Sequence, residues 1–196
     1  MDRNLRWEKF TISNLTNILT FTIALVNILD IILNISYPAF QIQLLFTDLW
    51  WQIFLFPFRI TKDLLSLIFF LYVFWTFGNT LEQEMGSPKF NLYVFSGYLF
   101  IIIGTFFYPI DAYFVYLSIF FALAYLYPDM EILFFFLIPI KMKWIGIITV
   151  LLIVFQAISF SLSSGSILPI LSILFGNLNF IIFILIPSLK IRHRLR

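Results

Sequence analysis

The chain alternates long apolar runs with short polar or charged breaks. Apolar runs at 12–35, 63–80, 90–107, 112–127, 144–160 and 167–187 are each near the roughly 20 residues a helix needs to cross about 30 Å of hydrocarbon. A chain in lipid must satisfy its backbone internally, so each run is expected to be a helix. The pattern therefore predicts an all-α, polytopic membrane protein with six transmembrane helices. A seventh apolar stretch, 132–140, stops at Pro139 and Lys141. It is too short to cross, and a re-entrant or interfacial segment is expected there. Segment 36–60 is too apolar for a water-facing loop, with Leu44, Leu45, Phe46, Trp50, Trp51, Phe54, Phe56 and Phe58 punctuated by Pro38, Asp48 and Pro57. It is expected to lie in the membrane interface.

The sharpest break is the polar island from Gly78 to Phe90, which carries Glu82, Glu84 and Lys89 between two apolar runs. Gly78 and Glu82 are four residues apart and share a helix face. The small residue admits a neighbouring helix while the carboxylate beside it meets a buried donor. Gly86-Ser87-Pro88 ends that helix and Pro88 starts the next. Small residues recur on other runs: Ser96-Gly97 and Gly104 in the third, Ser118 and Ala122 in the fourth, Ser172 and Gly176 in the sixth, with Asn179 three further on. These are expected helix-packing positions. Asp30 is the most deeply placed acid. It reads either as a proton or ion site or as a near-end residue bonded to a neighbouring helix or to headgroup water.

Composition agrees with the pattern. The 196 residues are 62% hydrophobic and 11% charged, against about a quarter charged in soluble domains. The expectation is one domain over 1–196, with a cytoplasmic lead-in at 1–11 and a basic tail at 188–196. The first run is too long for a signal peptide and no cleavage site follows it. The chain has no cysteine, which excludes disulfides, thiolate metal sites and a cysteine nucleophile. A net charge of +2 implies no nucleic acid, and no cofactor or metal is expected. Ten of the twelve Lys and Arg fall on one side if the six runs alternate, the exceptions being Arg59 and Lys62. Both termini are then cytoplasmic, in a prokaryotic plasma membrane rather than an organelle.

Two motifs carry a family resemblance. Trp51-Gln52-Ile53-Phe54-Leu55-Phe56-Pro57-Phe58 resembles the rhomboid first-loop motif of Trp-Arg, Thr and Pro-Phe. Gly78, Leu81-Glu82, Gly86-Ser87 and Phe90 resemble the rhomboid Gly-x-x-Leu-Glu and Gly-Ser-x-x-Phe. The resemblance covers roughly 40–190 and implies a six-helix rhomboid-like bundle with a partly embedded first loop. It departs from the family at Gln52, where rhomboids have Arg, and at Leu55, where Thr is frequent. Losing the guanidinium removes a bidentate donor.

Rhomboid proteolysis uses the serine of Gly-x-Ser-Gly in the fourth helix and a histidine in the sixth. This chain has no Gly-x-Ser-Gly, and its one histidine, His193, lies in the basic tail. Matching the end of the fourth run puts Tyr113 at the nucleophile position. Shifting the match to Ser118 leaves Tyr116 and Ile119 for the two glycines, and Pro169 takes the place of the base. No catalytic residue is therefore assigned. The resemblance then implies an inactive relative, like derlins and iRhoms, that binds membrane-protein clients within the bilayer. Two alternatives remain: an intramembrane serine protease with a non-standard site, and a small transporter using Asp30, Glu82, Glu84, Gln156, Asn177 and Asn179.

Overall fold

The computed structural model describes residues 11–34, 46–48, 50–61, 63–109, 111–134 and 138–187. The basic tail with His193 and most of the lead-in lie outside these residues. Helices occupy all six apolar runs: α1 Leu15–Ile32, α3 Leu64–Met85, α4 Ser87–Gly104, α5 Tyr113–Leu126, α6 Met142–Ser164, and a last run divided into α7 Leu168–Gly176 and α8 Leu178–Phe180. The short α2, Gln52–Leu55, runs into a 3₁₀ turn at Phe56–Phe58, and α8 continues as a π turn at Ile181–Leu185. Among the described residues, α1, α3 and α6 are long and apolar enough to cross a membrane, and the last pair adds a fourth span if counted as one. The helix α4, with Lys89 and Asn91 in its first turns, and the 14-residue α5 stand outside that group.

The bundle is arranged around α5. Being apolar on every side, α5 buries most of its length: Val115, Ala122 and Leu123 have no exposed surface, and its exposed residues are at its two ends, Tyr113 and Leu126. It touches α3, α4, α6, α7 and α8, whereas α1 packs mainly on α3 and α4 mainly on α7. At 14 residues, α5 is about 21 Å long, shorter than the hydrocarbon it would have to cross. The helix α6 is held at one end by Gly146, whose missing Cβ would meet Ala124 Cβ at 3.1 Å. Most of its other side chains face outward, Ile147, Leu151 and Phe155 among them.

Two features depart from the expected all-α bundle of six unbroken helices. The stretch expected to be re-entrant or interfacial forms an antiparallel hairpin, β1 Glu131–Phe134 with β2 Ile138–Lys141. Its register sets Glu131 opposite Lys141, so opposite charges close its base. Pro139 is tolerated because a two-stranded ribbon consists only of edges. The last run is not one straight helix either: its two halves meet at 52° about Asn177.

Candidate functional site

Three polar clamps fix the bundle around α5. The first joins α1 to α3. Asn14, at φ 56°, makes no side-chain cap for α1, which leaves the first backbone N–H groups of the helix without partners of their own. Glu82 of α3 supplies them: its two carboxylate oxygens accept from Leu15 N at 3.1 Å and Thr16 N at 3.0 Å. A negative group there also meets the positive end of the helix dipole. Ser87 Oγ donates to the same carboxylate at 3.1 Å. One turn away, Gly78 lets α1 approach so closely that a Cβ would stand 2.6 Å from Thr16 Cγ2. Between α3 and α4, Gly86 takes φ 77°, a left-handed value that favours glycine. Leu81 and Phe90 are fully buried beside it.

The second clamp holds the segment from Pro57 to Thr61. Asn27 of α1 donates to Phe58 O at 2.6 Å and accepts from Ile60 N at 3.0 Å and Thr61 N at 3.1 Å. Asp30 pairs with Arg59 at 2.8 Å, and the Arg59 guanidinium lies 5.8 Å from the centre of the Trp51 ring. From the other side Tyr116 donates to Pro57 O. With that proton committed, Tyr98 donates to the Tyr116 hydroxyl at 3.0 Å. Pro57 and Gln52 are buried, Trp51 and Phe58 partly so, while Phe46, Trp50 and Phe54 project outward.

The third clamp links α4, α5 and the last helix. Tyr93 OH donates to Ser118 O at 2.8 Å, and Asn179 Nδ2 donates to Ser118 Oγ at 2.8 Å. Gly97 makes room for it, since a Cβ there would stand 2.7 Å from Asn179 Nδ2. Ser172 Oγ donates to Gly104 O at 2.8 Å, joining α7 to α4. Gly176 is buried at the bend. Ser118 Oγ sends its own proton to Val115 O at 2.6 Å. It therefore donates to a carbonyl and accepts from an amide, and neither group takes up a proton as a general base must. Pro169 is buried in the first turn of α7 and has no basic atom to offer.

Beside this framework lies a cavity of about 470 Å³ between α3, α5 and α6. Phe69, Phe70, Val73, Phe74 and Phe77 wall it from α3, Tyr113, Tyr116 and Phe120 from α5, and Ile145 and Thr149 from α6. The two flanking helices make no extended contact with each other, and Phe69 on the cleft's wall faces outward. The cavity is thus a lateral cleft, apolar and aromatic, ending over the clamped loop at Ile60 and Thr61.

The residues named for a transport pathway are dispersed. Asp30 is spent on Arg59, Glu82 on α1, and Glu84 accepts from Tyr127. Gln156 is exposed and Asn177 bonds back to Ile173 O at 3.0 Å. Asp30 and Asn179 do not line a shared cavity among those described. Among the described residues no three His, Cys, Asp or Glu side chains group as metal ligands. The roles of Asn27, Tyr93, Tyr98 and Tyr116 had one sequence signal, a polar atom inside an apolar run. Comparison with protein families, curated proteins and solved structures finds no match. The rhomboid resemblance accordingly rests on the motif residues alone.

Proposed function

We propose that this chain is a rhomboid-like integral membrane protein, crossing six times with both ends cytoplasmic, that holds other membrane proteins in the cleft between α3 and α6 without hydrolysing them. The observation that carries this reading is the cleft: an apolar, aromatic opening in the side of a bundle whose remaining helices are tied together by buried polar clamps. A slot facing lipid accepts a hydrophobic segment without requiring it to pass through water, and aromatic walls provide area with little side-chain entropy to lose. Beyond the motif residues, the reading is supported by the short central helix, surrounded by its neighbours and leaving space beside its first half. The non-hydrolytic part is supported by Ser118, whose hydroxyl is engaged at both ends by groups that are not bases.

The test uses protein in liposomes with a fluorophosphonate probe, and client capture from native membranes by the wild type and by Thr149→Trp, which fills the cleft from α6. The reading predicts no labelling of Ser118 and client recovery that falls at least severalfold in the variant. Labelling abolished by Ser118→Ala would restore the protease, and recovery unaffected by Thr149→Trp would remove the cleft as the binding site.

A further inference from the structure

A second groove, of about 650 Å³, runs between α6, the C-terminal half of α5 and the bent last helix. It is separate from the α3–α6 cleft, lying on the other side of α6. Its wall on α6 extends from Lys143 through Gly146, Val150 and Val154 to Ala157. The fourteen helical rises between Lys143 and Ala157 make it about 21 Å long. Its polar side chains are Lys143 at one end, Tyr125 and Asn177, and Asn177 turns its amide N–H back to Ile173 O. The far end is apolar, closed by Ala157 and Ile170. Only 11% of the most apolar window of α6 is buried, against 28% for α1 and α3, so this helix presents more unpartnered apolar surface than either.

We infer that this groove seats one acyl chain of an anionic phospholipid whose phosphate meets Lys143. Three observations select that occupant. The groove is somewhat longer than the half-thickness of a hydrocarbon core of about 30 Å, so it fits a chain from one leaflet, whereas a helical partner would need about twice that length. The charge stands at one end, the end a headgroup occupies, with Trp144 exposed beside it in the manner of an interfacial anchor. Lys143 uses one of its three N–H donors on Asp129, at 3.0 Å, and keeps two for a phosphate. Asp129 is shared with Lys141 at 3.4 Å, and Lys141 also stands opposite Glu131 across the hairpin, which leaves Lys143 as the cation at the groove's end.

The experiment is native mass spectrometry of the full chain in dodecylmaltoside, titrated with dioleoylphosphatidylglycerol or dioleoylphosphatidylcholine. The wild type is expected to bind one phosphatidylglycerol about fivefold more tightly than phosphatidylcholine, the increment of one lysine at an anionic surface. Lys143→Gln erases that preference, whereas Asp129→Asn, which frees Lys143 from its partner, keeps or enlarges it. Val150→Trp fills the groove from a half-exposed position and removes binding of both lipids, with circular dichroism confirming the helix content. Equal affinity of the wild type for the two lipids would overturn the inference. So would lipid retained by Val150→Trp, or a dimer of the chain that dissociates in that variant in place of bound lipid.

Discussion

The capping of α1 by a carboxylate from α3 sets a definite cost on Glu82→Ala. The substitution leaves two N–H donors, Leu15 and Thr16, at residues 2% and 0% exposed, where water is a poor substitute. A hydrogen bond to a charged group contributes about 1.5–3 kcal/mol, so two of them place the loss at about 3–6 kcal/mol, a large share of an ordinary stability of about 5–15 kcal/mol. Glu82→Gln keeps the shape and one acceptor but turns an N–H₂ toward a donor, and is expected to lose about half as much. Ser87→Ala removes one neutral donor from the same carboxylate and should cost about 1 kcal/mol. The assay is equilibrium unfolding in mixed dodecylmaltoside and dodecyl sulfate micelles, read by tryptophan fluorescence, with amide exchange at Leu15 and Thr16 as the local readout. Glu82→Ala should be worst, Glu82→Gln intermediate and Ser87→Ala mildest, with exchange rising at those two amides. A Glu82→Ala protein within 1 kcal/mol of the wild type, or unchanged exchange at Leu15 and Thr16, would refute the capping argument.

Gly97→Val drives side-chain atoms into Asn179 Nδ2, where a Cβ alone would reach 2.7 Å. Overpacking of about 1–3 kcal/mol is expected in the same unfolding assay. Asn27→Ala removes the bonds to Phe58, Ile60 and Thr61, at about 1 kcal/mol each, and should raise amide exchange at Ile60 and Thr61 before it affects α6. Hydrogen bonds from Lys143 and Lys141 hold the Asp129 carboxyl below its usual range. A lowered folded pKa means a contribution present above about pH 3.9 and lost as pH falls through the folded value. Protection of the Lys143 amide, taken relative to its intrinsic exchange rate at the same pH, should therefore fall in that acid window, and Asp129→Asn should remove that change in protection.

Much of this framework is legible in the chain. The six apolar runs locate the six helical stretches because the backbone in lipid has few other options, and Gly86-Ser87-Pro88 marks the joint between α3 and α4. The Gly78–Glu82 spacing places a small residue and an acid on one helix face, and that face lies against α1. What the chain hides depends on partners far away in sequence. Glu131 and Lys141 meet only after the chain folds back, so a uniformly apolar stretch with a proline gives no period-two signal for the hairpin. The bend at Asn177 lies inside a run that is apolar on both sides. Ser118 and Asn179 are 61 residues apart, and the packing of α5 on the last helix, with Gly97 of α4 making room, brings them together. Asn27 reads along the chain as an interruption of an apolar run, yet three of its bonds hold the loop at 58–61.

The central claim is that proteins enter between α3 and α6, and photocrosslinking from inside that cleft addresses it most directly. A p-benzoylphenylalanine at Val73, on the cleft wall, would be compared in native membranes with one at Phe155, on the exposed face of α6. Discrete protein adducts from Val73 that disappear in the Thr149→Trp background, with lipid adducts alone from Phe155, are the result predicted. Lipid adducts alone from both positions, or protein adducts from Val73 unchanged by Thr149→Trp, would contradict it.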